Sequence, residues 1–177
     1  EGLDHVGEGG AALHVEDVAA VLLDVDAALV GDRGLALAEG VGLDPDYVAS
    51  ARGVLPATRF AVDAYLRYVR EQPLLQAVAS SLTELFAPAI HEERIAGLLR
   101  HYDFANADTI AYFRHRLDEA PKDVAFGLSW VLEHATTAER ADMAVAALVF
   151  KTEVLWAQLD ALYAAYEAAP DGFQDKY

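Results

Sequence analysis

The chain has 177 residues, enough for one domain with a single core, and its 54% hydrophobic content is rich in Ala and Leu, which favours helices. Its 13 basic and 29 acidic residues leave a formal charge of −16, which argues against nucleic acid or an anionic membrane as partner and leaves any anionic ligand to a few local cations. There is no cysteine and no long uninterrupted apolar run, so disulfides, thiolate nucleophiles and Cys-based metal sites are excluded and no transmembrane helix is expected.

Residues 1–14 are Gly-rich and read as a loop or frayed end. They show neither the basic region nor the apolar core of a signal peptide. The GEGG run has no strand before it and no Lys after it, as a phosphate loop would need. Val15–Val30, VEDVAAVLLDVDAALV, is strongly apolar but interrupted by Asp17, Asp24 and Asp26. Periodicity leaves it open between a helix and a buried strand. Gly31–Gly34 break it. Leu35–Leu43 predicts a short helix ending at Gly42, and Asp44-Pro45 opens another short turn.

Leu55–Glu71 predicts an amphipathic helix with Phe60, Ala64 and Leu66 inside and Arg67 and Arg70 outside. Pro73 starts a fresh helix that leads into Ser80–Arg94, SSLTELFAPAIHEER. After a polar connection at His101–Asn106, Asp108 or Thr109 can cap TIAYFRHRLDEA. Pro121 is expected to begin another helix, running to about His134. The spacing of Thr136 and Glu139 predicts a capping box that opens a last helix to about Ala168. The sequence thus predicts a compact all-α bundle over 35–169, an atypical segment 1–34 and a loose tail 170–177.

Ser80–Arg94 is the stretch most suggestive of a site. Read as one helix, it places Pro88 in the middle, where no N–H can meet the Glu84 carbonyl and a kink follows. Glu84 and His91 then lie two turns apart on one face, with Arg94 three residues further on. The pattern equally describes a kinked core helix with a structural His. Tyr112 and Arg116 stack four residues apart on the next helix. A guanidinium forks onto carboxylates and a phenol donates to carbonyl or quinone oxygen, although spacing alone also fits a solvated Arg beside a core Tyr.

Lys151 falls on a stripe that can be read as Ala144, Leu148, Leu155, Leu159 and Leu162 facing inward. It either snorkels to water or aims a cation into a pocket. His5, His14, His101, His115 and His134 read as surface residues. No Glu is followed three residues later by His, and there is no His-Glu-x-x-His, so neither a di-iron bundle nor that zinc site is indicated and no metal is expected.

SSLTELFAPAIHEER, AYFRHRLDEAPKD, FKTEVLWAQLDALYAAY and VLPATRFAVDAY resemble the pyrroloquinoline-quinone synthase family, over about Leu35 to Ala168. The resemblance implies a haem-oxygenase-like all-α fold and a cytoplasmic homodimer without a metal or organic cofactor. It implies closure and oxidation of the last ring of a tricyclic, carboxylated quinone precursor, with dioxygen as co-substrate and hydrogen peroxide released. Carried over residue by residue, the catalytic positions are Glu84, His91, Tyr112 and Arg116, and the substrate-binding ones are Arg94, Lys151 and Tyr65. Residues 11–34 look unlike the family, so its N-terminal helices are expected to be missing. Asp4-His5-Val6-Gly7 echoes the family's front, an alternative alignment puts Asp24-Val25-Asp26 there without a His, and whether His5 takes a pocket position stays open. Val15–Val30 or a partner copy must then meet the exposed wall, which predicts an oligomer.

Two other readings follow. A thiaminase-II-like hydrolase on the same fold would need a cysteine nucleophile, and this sequence has none. A truncated, non-catalytic binder of the quinone or its precursor would keep the fold and part of the pocket.

Overall fold

The structure is a computed structural model that describes residues 32–168. Val15–Val30, His5, His14 and the 170–177 tail lie outside the described residues, as does most of the 1–34 segment. Helices α1 (Asp32–Gly40) and α2 (Pro45–Ala49) come first. Gly42, at φ +80°, ends the first of them through the left-handed conformation that glycine adopts at little cost. Asp44 caps the second, its side chain accepting the Asp46 N–H at 2.9 Å.

Helix α3 (Pro56–Glu71) buries Ala61 and Val69, with Tyr65 and Tyr68 half-buried beside them. Phe60 and Ala64, expected inside, are exposed, Phe60 by 69%. Leu66 is half-buried and Arg67 and Arg70 are exposed, as expected, so the departure is the phase at Phe60 and Ala64. Ala61, Tyr65, Tyr68 and Val69 form the alternative stripe one residue round the helix, and packing selects it.

Helix α4 (Leu74–Ser80) buries most of its length, and a 3-10 turn, Ser81–Phe86, follows before α5 (Ala87–His101). Ser80–Arg94 is therefore not one Pro-kinked helix. Pro88 sits in the first turn of α5, where a missing N–H leaves no carbonyl unpaired. The chain changes pitch in the tighter turn just before it.

Neither Asp108 nor Thr109 caps α6 (Ala111–His134). Asn106 Oδ1 instead accepts the N–H groups of Asp108 and Thr109, at 2.8 and 3.2 Å. Pro121 does not start a new helix either. It lies inside α6, which continues through it for 24 residues. Thr137, rather than Thr136, caps α7 (Ala138–Tyr166) by accepting the Arg140 N–H at 3.2 Å. The last helix stops two residues short of the expected Ala168.

Helices α3 and α4 pack on α7, while α5 and the 3-10 turn pack on α6. Leu75, Val78, Ala79, Leu82, Val131, Ala144 and Ala147 form the shared core. There is no strand among the described residues, and no helix there is long and apolar enough to cross a membrane. At the front, a Cβ on Gly40 would fall onto the Thr109 Cγ2 methyl, so α1 abuts the turn that launches α6.

Candidate functional site

Three neighbouring pieces of chain assemble the site. The 3-10 turn presents Glu84, α5 presents His91 and Arg94, and α6 presents Tyr112 and Arg116. Arg116 Nη2 lies 3.2 Å from Glu84 Oε2, and Arg116 Nη1 lies 3.6 Å from Asp123 Oδ2. The Arg116 side chain is only 12% exposed, so it is not a solvated surface arginine. A carboxylate on each terminal nitrogen fixes the plane of its guanidinium.

His91 is buried, with its ring centroid 6.4 Å from that of Tyr112 and 5.7 Å from that of Phe113. Its Nδ1 is buried with no hydrogen-bond partner among the described residues. Burial pushes the imidazole below its ordinary pKa. The Arg94 charge pushes the same way, Glu84 opposes it, and Arg116 lowers it further. A neutral imidazole with an unengaged nitrogen in dry surroundings is equipped to accept a proton. Arg94 is exposed and rests 5.3 Å from the Phe113 ring centroid, so it borders the group rather than entering it.

The other two expected residues form a second group on α3, α4 and α7. Lys151 Nζ stands 3.4 Å from the Tyr65 ring centroid. Tyr65 Oη lies 3.2 Å from the buried Ser80 Oγ, which donates its own proton to the Ala77 carbonyl at 2.7 Å. That leaves Tyr65 as the donor to Ser80, since a serine has one hydroxyl proton. Ser80 immediately precedes the 3-10 turn that carries Glu84, so the chain itself joins the two groups.

The Lys151 stripe needs correcting. Ala144, Ala147, Val154 and Ala165 are the buried positions of α7, whereas Leu155, Leu159 and Leu162 are exposed. Lys151 nonetheless lies on the buried side, half-covered. Among the other histidines, His101 and His115 are exposed as expected. His134 stacks on Trp130 at 3.9 Å, with its Nδ1 2.8 Å from the Trp130 carbonyl oxygen. Sequence reasoning missed Asp123 and Phe113. The two-turn spacing from Arg116 to Asp123 was the one signal for the acid. Among the described residues no three His, Cys, Asp or Glu side chains gather to hold a metal ion.

A strand-free helical bundle with a buried histidine, a tyrosine and a carboxylate-held arginine at a helix junction has the character of the haem-oxygenase-like all-α class. The chain belongs to the TENA/THI-4/PQQC family, whose model matches residues 13–161 and so takes in every residue of both groups. That match begins inside the stretch 11–34, where the sequence alone showed no kinship. The chain is 76% identical over 134 residues to a pyrroloquinoline-quinone synthase of Ruegeria pomeroyi, covering 76% of this chain and 56% of that protein. It is 72% identical over 134 residues to the protein of that name from Rhizobium meliloti, covering 76% and 52%. With the one from Granulibacter bethesdensis it shares 54% identity over 151 residues, covering 83% and 59%. The chain thus spans about half the length of the curated relatives it matches.

Proposed function

We propose that this chain acts as a pyrroloquinoline-quinone synthase in the biosynthesis of that cofactor. It closes and oxidises the last ring of a carboxylated quinone precursor, and dioxygen takes up the electron pairs and leaves as hydrogen peroxide. No metal or organic cofactor takes part, and the protein works as a cytoplasmic homodimer.

The observation that carries this reading is His91: a buried, neutral imidazole with a free Nδ1, beside Tyr112 and flanked by Arg94 and Arg116. In it His91 removes protons from ring carbons, and the Tyr112 phenol steadies the oxyanion of the quinol as it forms. Arg116, Arg94 and Lys151 receive the ligand's carboxylates, with Glu84 holding Arg116 in plane and Tyr65 bearing on Lys151. High identity to proteins of that name supports the same chemistry.

Oxygen uptake and peroxide release with the authentic precursor test the reading. Turnover by the unaltered chain, lost in His91→Asn while the helical signal persists, is the expected result. Quinone added under nitrogen separates the alternative. A shift in its visible absorption without any aerobic turnover would mean that this chain binds the quinone and does not oxidise it.

A further inference from the structure

Ser80 is a polar residue among the most buried of the bundle, and the proposed chemistry gives it no task. It closes α4, whose Ala77, Val78 and Ala79 are all buried, and it is itself fully buried. A hydroxyl there is costly unless both its donor and its acceptor are used. The donor goes to the Ala77 carbonyl at 2.7 Å, and the acceptor faces Tyr65 Oη at 3.2 Å. Its neighbour Ser81 makes the same kind of local bond, donating to the Val78 carbonyl at 2.7 Å. Such a bond to a carbonyl three residues back serves the helix end alone. What sets Ser80 apart is the link to Tyr65, which joins α4 to α3.

Tyr65 is the ring beneath the Lys151 ammonium, with Nζ 3.4 Å from its centroid. The helices behind that pair are held in register. Tyr68, one turn further along α3, stacks on Phe150, the residue before Lys151 on α7, with ring centroids 4.2 Å apart. Backbones so pinned still leave a phenol ring to turn about its own side-chain bonds, because the torsion that orients an aromatic ring is broad. A hydroxyl bonded to a buried acceptor removes that freedom. The ammonium then has a fixed floor to stand on, and a cation held in place costs a ligand carboxylate less to meet.

We propose that Ser80 is a positioning residue: it holds the Tyr65 ring under Lys151 and so fixes the cation that receives a carboxylate of the quinone. The proposal rests on the binding role given above to Lys151, while the anchoring itself can be measured with no ligand present.

The chain has three lysines, Lys122, Lys151 and Lys176, so isotope-labelled lysine gives few NMR signals and Lys151→Met assigns the one in question. The ring current of Tyr65 should move the ε-methylene protons of Lys151 upfield. Ser80→Ala should return that signal towards the position of an exposed lysine. Tyr65→Phe, which keeps the ring and loses the anchor, should do the same. Ser81→Ala, which removes the equivalent local bond, should leave the signal where it is. An upfield signal absent from the unaltered chain, or one that survives Ser80→Ala or Tyr65→Phe, would overturn the proposal. So would its loss in Ser81→Ala, which would trace the effect to the helix end. Pyrroloquinoline quinone under nitrogen, followed by its absorption, reads the consequence for binding. Ser80→Ala should raise its dissociation constant about two- to tenfold, the worth of one hydrogen bond, and should raise it no further when combined with Lys151→Met. An equal rise in both backgrounds would mean that Ser80 does not act through Lys151 and would overturn the proposal too. Failure of the unaltered chain to bind the quinone would overturn the assigned function instead, and the lysine signals would still decide for or against Ser80.

Discussion

Burial at the junction of α5 with α6 holds His91 in its neutral form, and the consequences are measurable. If it moves protons, His91→Asn abolishes turnover while stability changes by much less than the about 2–5 kcal/mol of a core truncation; chemical denaturation of the pair checks this. Its pKa is held below the ordinary 6.5, so the folded state binds fewer protons than the unfolded one. The stability it contributes is full above pH 6.5 and falls as the pH drops below that value. His91→Asn should flatten that acid-side slope in a pH series of unfolding midpoints. At Lys151 the contact with Tyr65 is worth about 0.5–2 kcal/mol, so Lys151→Met should leave the fold intact. It should raise the dissociation constant of a carboxylated quinone by about tenfold or more, as loss of a charged hydrogen bond does; absorption titration reads this. Spacing on one helix brought Tyr112 and Arg116 together in the sequence. Burial decided that Arg116 is not a surface residue, and burial comes from other helices. Asp123 escaped notice because the proline between it and Arg116 looked like a helix boundary.

At the level of elements, punctuation was legible and phase was not. Gly42, Asp44 and Pro73 mark their boundaries by local chemistry, and the structure agrees with them. Pro88 and Pro121 show why the rest was harder. The same residue ends, starts or interrupts a helix according to what packs beside it, and Pro88 starts one while Pro121 lies inside another. Phe60 against Ala61 and Thr136 against Thr137 are single-residue errors of the same origin. Pro121 lies between Arg116 and Asp123, so Pro121→Ala has a double expectation. It should stabilise α6 by about 1–3 kcal/mol by restoring a helical N–H. It should also disturb the Arg116–Asp123 pair and weaken quinone binding; thermal melts and titration separate the two effects. Thr137→Ala, by contrast, should cost about 1 kcal/mol through the lost cap without touching the ligand.

For the molecule as a whole, an all-helical bundle was visible in the Ala- and Leu-rich composition and in the Gly and Pro spacing. The pairing of helices was not, because it joins residues far apart in the chain. Helix α7 makes the point: its sequence has apolar residues on more than one side, and the inward stripe read from it was not the buried one. Exposed Leu85, Phe86 and Ile90 offer further apolar surface, and sedimentation of the full chain is expected to show an oligomer, as the proposed homodimer requires. The contact of Gly40 with Thr109 has a mechanical consequence. Where α1 presses on the turn ahead of α6 there is no room for even one methyl group. Thr109 lies two residues ahead of α6, whose first turn carries Tyr112 and whose second carries Arg116. Gly40→Ala inserts a wedge at that contact, and it should perturb the NMR signals of Tyr112 while the end of α1 remains folded.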